Sequence, residues 1–230
     1  MLKKQKELSK KQVKHKDDLV TSYENALSWF EVNKKLLGNV GIALALIVAG
    51  GWFYLNNQKT NNEKAALDFA KVFVYYDNGQ YQLAMNGIPE RNVRGLLSIA
   101  NDYGSTPNGG LAQFYLANCY FHLGQYEKAR EAFDDAGVPD GILESSRIAG
   151  IAACDEAAGR YADAAKGFEK AGKRSSDDPN TPEYLAQAAR NYAKAGSTEQ
   201  AIELYKYIKK EHNGTAAARE AERNIEELRG

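Results

Sequence analysis

Seven side chains between positions 114 and 194 could carry recognition chemistry: Phe114, Asn118, Phe121, His122, Glu156, Arg190 and Lys194. They combine aromatic rings with amide, imidazole, carboxylate and cationic groups, the mixture that anchors a polypeptide partner. Phe114 and Phe121 read equally well as ordinary core. Catalysis finds no comparable support. His15, His122 and His212 are isolated from one another, so no metal-ligand cluster forms. No Ser/His/Asp or Cys/His arrangement has a supporting motif, and no Gly-rich loop is built to cradle phosphate. No cofactor and no enzymatic activity are expected. Gly109-Gly110 follows Pro107-Asn108 and reads as a turn. Carboxylates are plentiful, but pairs such as Glu199 and Glu203 with Lys206 read as solvated helix faces. The formal net charge is zero, without the positive excess that nucleic acid demands.

The elements that must position these residues repeat along the chain. "LANCYFHLGQYEKAREAFDDA" from Leu116, "IAACDEAAGRYADAAKGFEKA" from Ile151 and "AARNYAKAGSTEQAIELYKYI" from Ala188 share their landmarks. Gly124, Gly159 and Gly196 align, then Ala129, Ala164 and Ala201, then Phe133, Phe168 and Tyr205, at spacings of 35 and 37 residues. Each unit reads as an apolar-periodic helix, a glycine turn and a second helix. The glycine ends the first helix in a left-handed conformation. The alanine marks a close helix crossing, where a larger side chain would push the helices apart. The aromatic residue fills the space between units, and Pro139 and Pro179 interrupt the chain between repeats. This pattern resembles the tetratricopeptide repeat, a helix pair of about 34 residues. The resemblance implies an all-α solenoid whose first helices line a concave face, which is where the seven candidates fall. The carboxylate-clamp form of that fold grips a peptide C-terminus with Lys and Asn. Asn118 occupies one such place, but Leu111 and Phe114 stand where lysines would be, so a free C-terminus is not the expected ligand.

Repeats are expected at about 110–143, 145–178 and 182–213. A degenerate unit at about 63–106 precedes them: "FVYYDNGQYQLA" carries Gly79, Tyr81 and Ala84 at the same offsets, and "GIPERNVRG" then breaks its second helix. A capping helix at 215–229 would bury Ala217, Ala221, Ile225 and Leu228 and expose charge outward. Cys119 and Cys154 occupy equivalent positions in adjacent first helices. Such positions lie about 9–10 Å apart on packed helices. A disulfide requires Cα atoms within about 7 Å. Both are expected to be buried free thiols.

Residues 36–55 contain no charge. A helix of this length spans about 30 Å, the thickness of a bilayer's hydrocarbon core. Trp52 and Tyr54 would sit at interface depth. The long, acid-containing segment before it does not fit a cleavable signal peptide, so the stretch reads as an uncleaved transmembrane anchor. Residues 1–35 hold nine lysines against five acids, which predicts a cytoplasmic N-terminus and places residues 56–230 across the membrane. Leu19, Val20, Tyr23, Ala26, Leu27 and Phe30 predict an amphipathic helix on the inner surface of the lipid bilayer, behind a Lys-rich, mobile tail. Gly38, Gly41, Ala45 and Ala49 form a small-residue ladder on which another membrane helix could dock.

Trp29-Phe30, Asn33 and an anchor ending Gly51-Trp52-x-Tyr54, followed by helical repeats, resemble the YfgM-type family over about residues 23–57. Members of that family are bacterial inner-membrane proteins ancillary to the SecYEG-type translocon. They act with a membrane-anchored periplasmic chaperone of the peptidyl-prolyl isomerase type. The resemblance implies a non-catalytic scaffold with those two partners and a periplasmic repeat domain. The repeats here are more regular than that family requires. The alternative is an envelope-assembly or cell-division scaffold that uses the same repeats to bind other proteins.

Overall fold

A computed structural model describes residues 2–174 and 178–230, with side chains from residue 21 onward. The early lysines, His15, Leu19 and Val20 therefore lie outside the described side chains. The chain divides into two compact units, Met1–Asn56 and Asn57–Gly230. Helix α1, Leu2–Asp77, contributes to both. This corrects two expectations. The N-terminal stretch is helical from Leu2, and no break separates the amphipathic segment from the apolar one. The reason is local: no Pro or Gly stands between Leu2 and Leu37 to end a helix. Gly50-Gly51 lies inside the helix, and the first turn-forming glycine that stops it is Gly79, at φ +70°.

In the first unit, every residue from Leu36 to Leu55 except Leu37 is exposed. This helix is long and apolar enough to cross a membrane, with a mean hydropathy of 1.9 in its best window.

The second unit is a succession of packed helix pairs. After α1 come α2 (Tyr81–Asn86), α3 (Leu96–Tyr103), α4 (Pro107–His122) and α5 (Tyr126–Asp135). Then follow α6 (Ile142–Ala157), α7 (Tyr161–Arg174), α8 (Thr181–Lys194), α9 (Thr198–Glu211) and α10 (Ala216–Arg229). The turn glycines Gly124, Gly159 and Gly196 adopt φ of +73°, +76° and +80°, a region that a Cβ resists. Ala129, Ala164 and Ala201 are fully buried, and Phe133, Phe168 and Tyr205 pack beside them. One continuous core joins α6 to α10, from Ile148 through Leu185 to Ile225. Ala217, Ala221 and Ile225 are the buried face of α10, which Thr215 caps by accepting the Ala218 N–H at 3.2 Å.

The irregular first repeat is where the architecture departs from all-α. Gly87–Ile88 (β1) and Val93–Arg94 (β2) form a short antiparallel ladder around a 3₁₀ turn at Pro89–Arg91. Added Cβ atoms at Gly87 and Gly95 would come within 2.4 Å of backbone, so only glycine lets the two strands meet here. Arg94 ties the hairpin down through Asp102, the Tyr103 hydroxyl at 3.0 Å and Asp68 at 3.5 Å. Gly109-Gly110 is likewise a correction. It lies in the first turn of α4, not in a loop. Thr106 caps that helix by accepting the Gly109 N–H at 3.1 Å, with Pro107 at its first position. An added Cβ would lie 1.8 Å from the Tyr103 carbonyl at Gly109 and 2.0 Å from the Gly137 carbonyl at Gly110. Both glycines serve close packing.

A candidate peptide groove on the first helices

The first helices α4, α6 and α8 together line a groove of about 680 Å³. Its floor is apolar. Phe114 and Phe133 meet edge to face with ring centroids 5.6 Å apart, and Phe168, Ala149 and Ala153 continue the surface. Gly150 makes this floor possible: an added Cβ would lie 2.5 Å from the Phe133 ring. The polar groups stand on the rim: Asn118, His122, Ser146, Glu156, Tyr184 and Gln187. Ser146 and Tyr184 share a hydrogen bond of 3.1 Å from α6 to α8, which pins the two helices across the groove.

Five of the seven residues singled out from the sequence come together here: Phe114, Asn118, Phe121, His122 and Glu156. Phe114 is both core and lining, being only 8% exposed. Asn118 donates its amide to the Phe114 carbonyl at 2.9 Å, one turn back on its own helix. His122 is exposed but stacks parallel on Tyr81 at 4.4 Å and edges against Phe121. Arg190 and Lys194 do not line the groove. Arg190 pairs with Glu183 at 2.9 Å and Glu220 at 3.7 Å. Lys194 reaches back from α8 to Glu156 at 2.6 Å, with its ammonium 5.2 Å from the centre of the Tyr161 ring. Burial opposes ionisation of Glu156, but bonds from Lys194 and Asn191 and the nearby Arg190 outweigh it. The carboxyl is held below its ordinary range.

Sequence reasoning missed Ser146, Ala149, Gly150, Ala153, Phe168, Tyr184 and Gln187 as groove residues. A signal was available. The 35-residue register carries Phe114 to Ala149 and Asn118 to Ala153, and 37 residues carry Gly150 to Gln187. Ala149, Gly150 and Ala153 leave room instead of filling it, so a search for large or charged side chains passes over them; Phe168, Tyr184 and Gln187 join the groove only through the packing of the helices.

A second groove of about 340 Å³ lies between α7, α8 and α9. In it Tyr192 donates to Glu169 at 2.6 Å, and Lys173 also pairs with Glu169. Desolvation and the Glu169 carboxylate push the Tyr192 hydroxyl up to about 12. Asp155, buried between repeats, is held by Arg130 at 3.2 Å and Arg160 at 2.7 Å. Cys119 and Cys154 are buried free thiols, pushed up to about 12 by desolvation. Neither is a competent nucleophile at neutral pH. Among the described residues, no group of His, Cys, Asp or Glu is placed to hold a metal ion. On α1, Gly38, Gly41, Ala45 and Ala49 are exposed, and an added Cβ at Gly38 or Gly41 would meet nothing within 4 Å.

Comparison with known proteins agrees with the repeat fold. Residues 110–136, which form most of α4 and α5, match the tetratricopeptide repeat family model. The fold is similar to a crystal structure from Podosopora anserina described as kinesin light chain nearly identical TPR-like repeats. The TM-score is 0.54 at 17% identity, covering 75% of this chain and 85% of that one. A variant of the same repeats gives a TM-score of 0.51 at 18% identity, covering 75% and 93%. A search of curated proteins finds no relative. The second unit thus has the fold of tetratricopeptide-like repeats.

Proposed function

We propose that this chain is a non-catalytic scaffold, anchored in a bacterial inner membrane by residues 36–55, that holds partner proteins through its repeat unit. The groove across α4, α6 and α8 carries this reading: an aromatic floor with a polar rim spanning three successive repeats is a surface for an extended or helical polypeptide segment. The lysine excess of residues 1–35 orients the N-terminus to the cytoplasm and the repeats to the periplasm. The resemblance of residues 23–57 to the YfgM-type family favours the Sec translocon and a membrane-anchored, peptidyl-prolyl isomerase-like chaperone as partners. Assistance to secreted or outer-membrane proteins is the corresponding role.

Photo-crosslinking from Ala45 tests the partner assignment. A photoreactive residue there, in the full chain in its native membrane, should trap a translocon subunit or its chaperone. Recovery of only a second copy, or of an outer-membrane assembly factor, would overturn that assignment in favour of an envelope-assembly scaffold. A reporter fused after Gly230 should be active only in the periplasm.

A further inference from the structure

The groove has an uneven charge. Its lining includes no lysine or arginine among the described residues, and Glu156 is its one carboxylate. Glu156 is half-buried, with 26% of its side chain exposed, beside an apolar floor. A carboxylate in such a place is costly without a cation. Here the cation is Lys194, which is borrowed from the next repeat and is itself 47% exposed. Pairs of that exposure hold weakly, because ordering a long side chain offsets most of the Coulomb attraction. Lys194 also has somewhere else to go, since its ammonium already lies 5.2 Å from the Tyr161 ring centre. With Lys194 gone, Arg190 and Asn191 still support the Glu156 carboxylate.

We propose that the groove takes a segment of another polypeptide whose apolar side chains flank one lysine or arginine, and that this cation seats on Glu156 in place of Lys194. The inference rests on the groove reading above and adds the partner's chemistry. An acidic segment or a free C-terminal carboxylate meets no lysine or arginine in the lining itself, and the nearest cation, Lys194, is already engaged by Glu156. A purely apolar segment would leave the Glu156–Lys194 pair covered and partly desolvated, a loss with no return.

A displayed library of short random peptides, selected against the full chain in mild detergent, tests this directly. Enriched peptides should carry Lys or Arg between aromatic or aliphatic residues. Glu156→Gln should weaken a synthetic copy of the best peptide about tenfold, the loss expected for a hydrogen bond to a charged group. Lys194→Ala should tighten it about threefold, because the competing cation is removed. Phe121→Ala, which removes an aromatic wall, or Ala153→Leu, which fills the groove, if that variant fails to fold, should abolish binding. Enrichment of acidic or wholly apolar peptides, or affinity indifferent to Glu156→Gln, would overturn the inference while leaving the groove intact. Peptides that bind Phe121→Ala and Ala153→Leu unchanged, or no enrichment at all, would overturn the groove reading itself.

Discussion

Residues 36–55 of α1 and the helix α8 both carry several alanines among larger apolar side chains, yet they solve opposite problems. In α8, Leu185, Ala186, Ala188, Ala189 and Tyr192 are buried by neighbouring helices, while Glu183 and Lys194 face water. Residues 36–55 have no polar face to turn outward and, Leu37 apart, no buried one either. Apolar side chains on every side of a helix require an apolar surrounding on every side. In α8 other helices cover one face. For residues 36–55, lipid is the surrounding that would cover all of them. Apolar content alone therefore says little; its distribution around the helix says which solvent the helix needs.

Substitutions should separate the two regimes. The largest effect is expected at Phe133, 2% exposed at the meeting of two repeats and the groove. Phe133→Ala should cost about 3–5 kcal/mol of folding stability by urea denaturation of the full chain in detergent, with membrane fractionation unchanged. Leu46→Arg should behave in reverse. Placing arginine at a membrane helix centre costs about 3 kcal/mol, so the alkali-resistant membrane fraction should drop while the urea midpoint stays. If that midpoint moved as well, the two regions would not be energetically separate.

Smaller changes sharpen the contrast. Ala164 is fully buried where α6 and α7 cross, and Ala164→Leu should destabilise by about 1–3 kcal/mol through overpacking. Ala45→Leu, on the exposed face of α1, should leave the urea midpoint alone, and its effect on photo-crosslinking from the neighbouring Gly41 tests the proposed docking ladder. Gly124→Ala should cost about 1 kcal/mol, because φ of +73° strains an L-residue.

At neutral pH the thiols give the smallest effect, and at alkaline pH an effect of defined sign. An unfolded cysteine ionises near about 8.5. In the folded chain, desolvation holds Cys119 and Cys154 protonated to about 12. Between those values the unfolded chain binds fewer protons, so stability falls as pH rises. Cys119→Ala with Cys154→Ala should flatten that alkaline slope, measured as urea midpoint against pH. In the native wild type, both thiols should resist a thiol-specific reagent until denaturant is added.

The repeat architecture was legible because its signals are local. Gly79, Gly124, Gly159 and Gly196 stop helices by backbone conformation, and Ala129, Ala164 and Ala201 mark crossings by size. The hairpin at Gly87–Arg94 was not legible as strand. Two-residue strands carry no alternation to read, and their pairing depends on backbone approach at Gly87 and Gly95. Gly109-Gly110 misled for a related reason: a glycine pair in sequence suggests a turn, and only the carbonyls of Tyr103 and Gly137 reveal that the missing side chains make room for other segments.

The candidate groove divides along the same line. Spacing alone placed Phe114, Asn118, Phe121, His122 and Glu156 on one succession of first helices, because helical and repeat periods are properties of the chain itself. Whether Arg190 and Lys194 would join them was decided elsewhere. Arg190 turns to Glu183 and Glu220, and Lys194 crosses to Glu156 and Tyr161. A long charged side chain takes its direction from partners distant in sequence, and those partners exist only once the helices have packed. The same holds for the floor, where Gly150 matters only because the Phe133 ring lies against it.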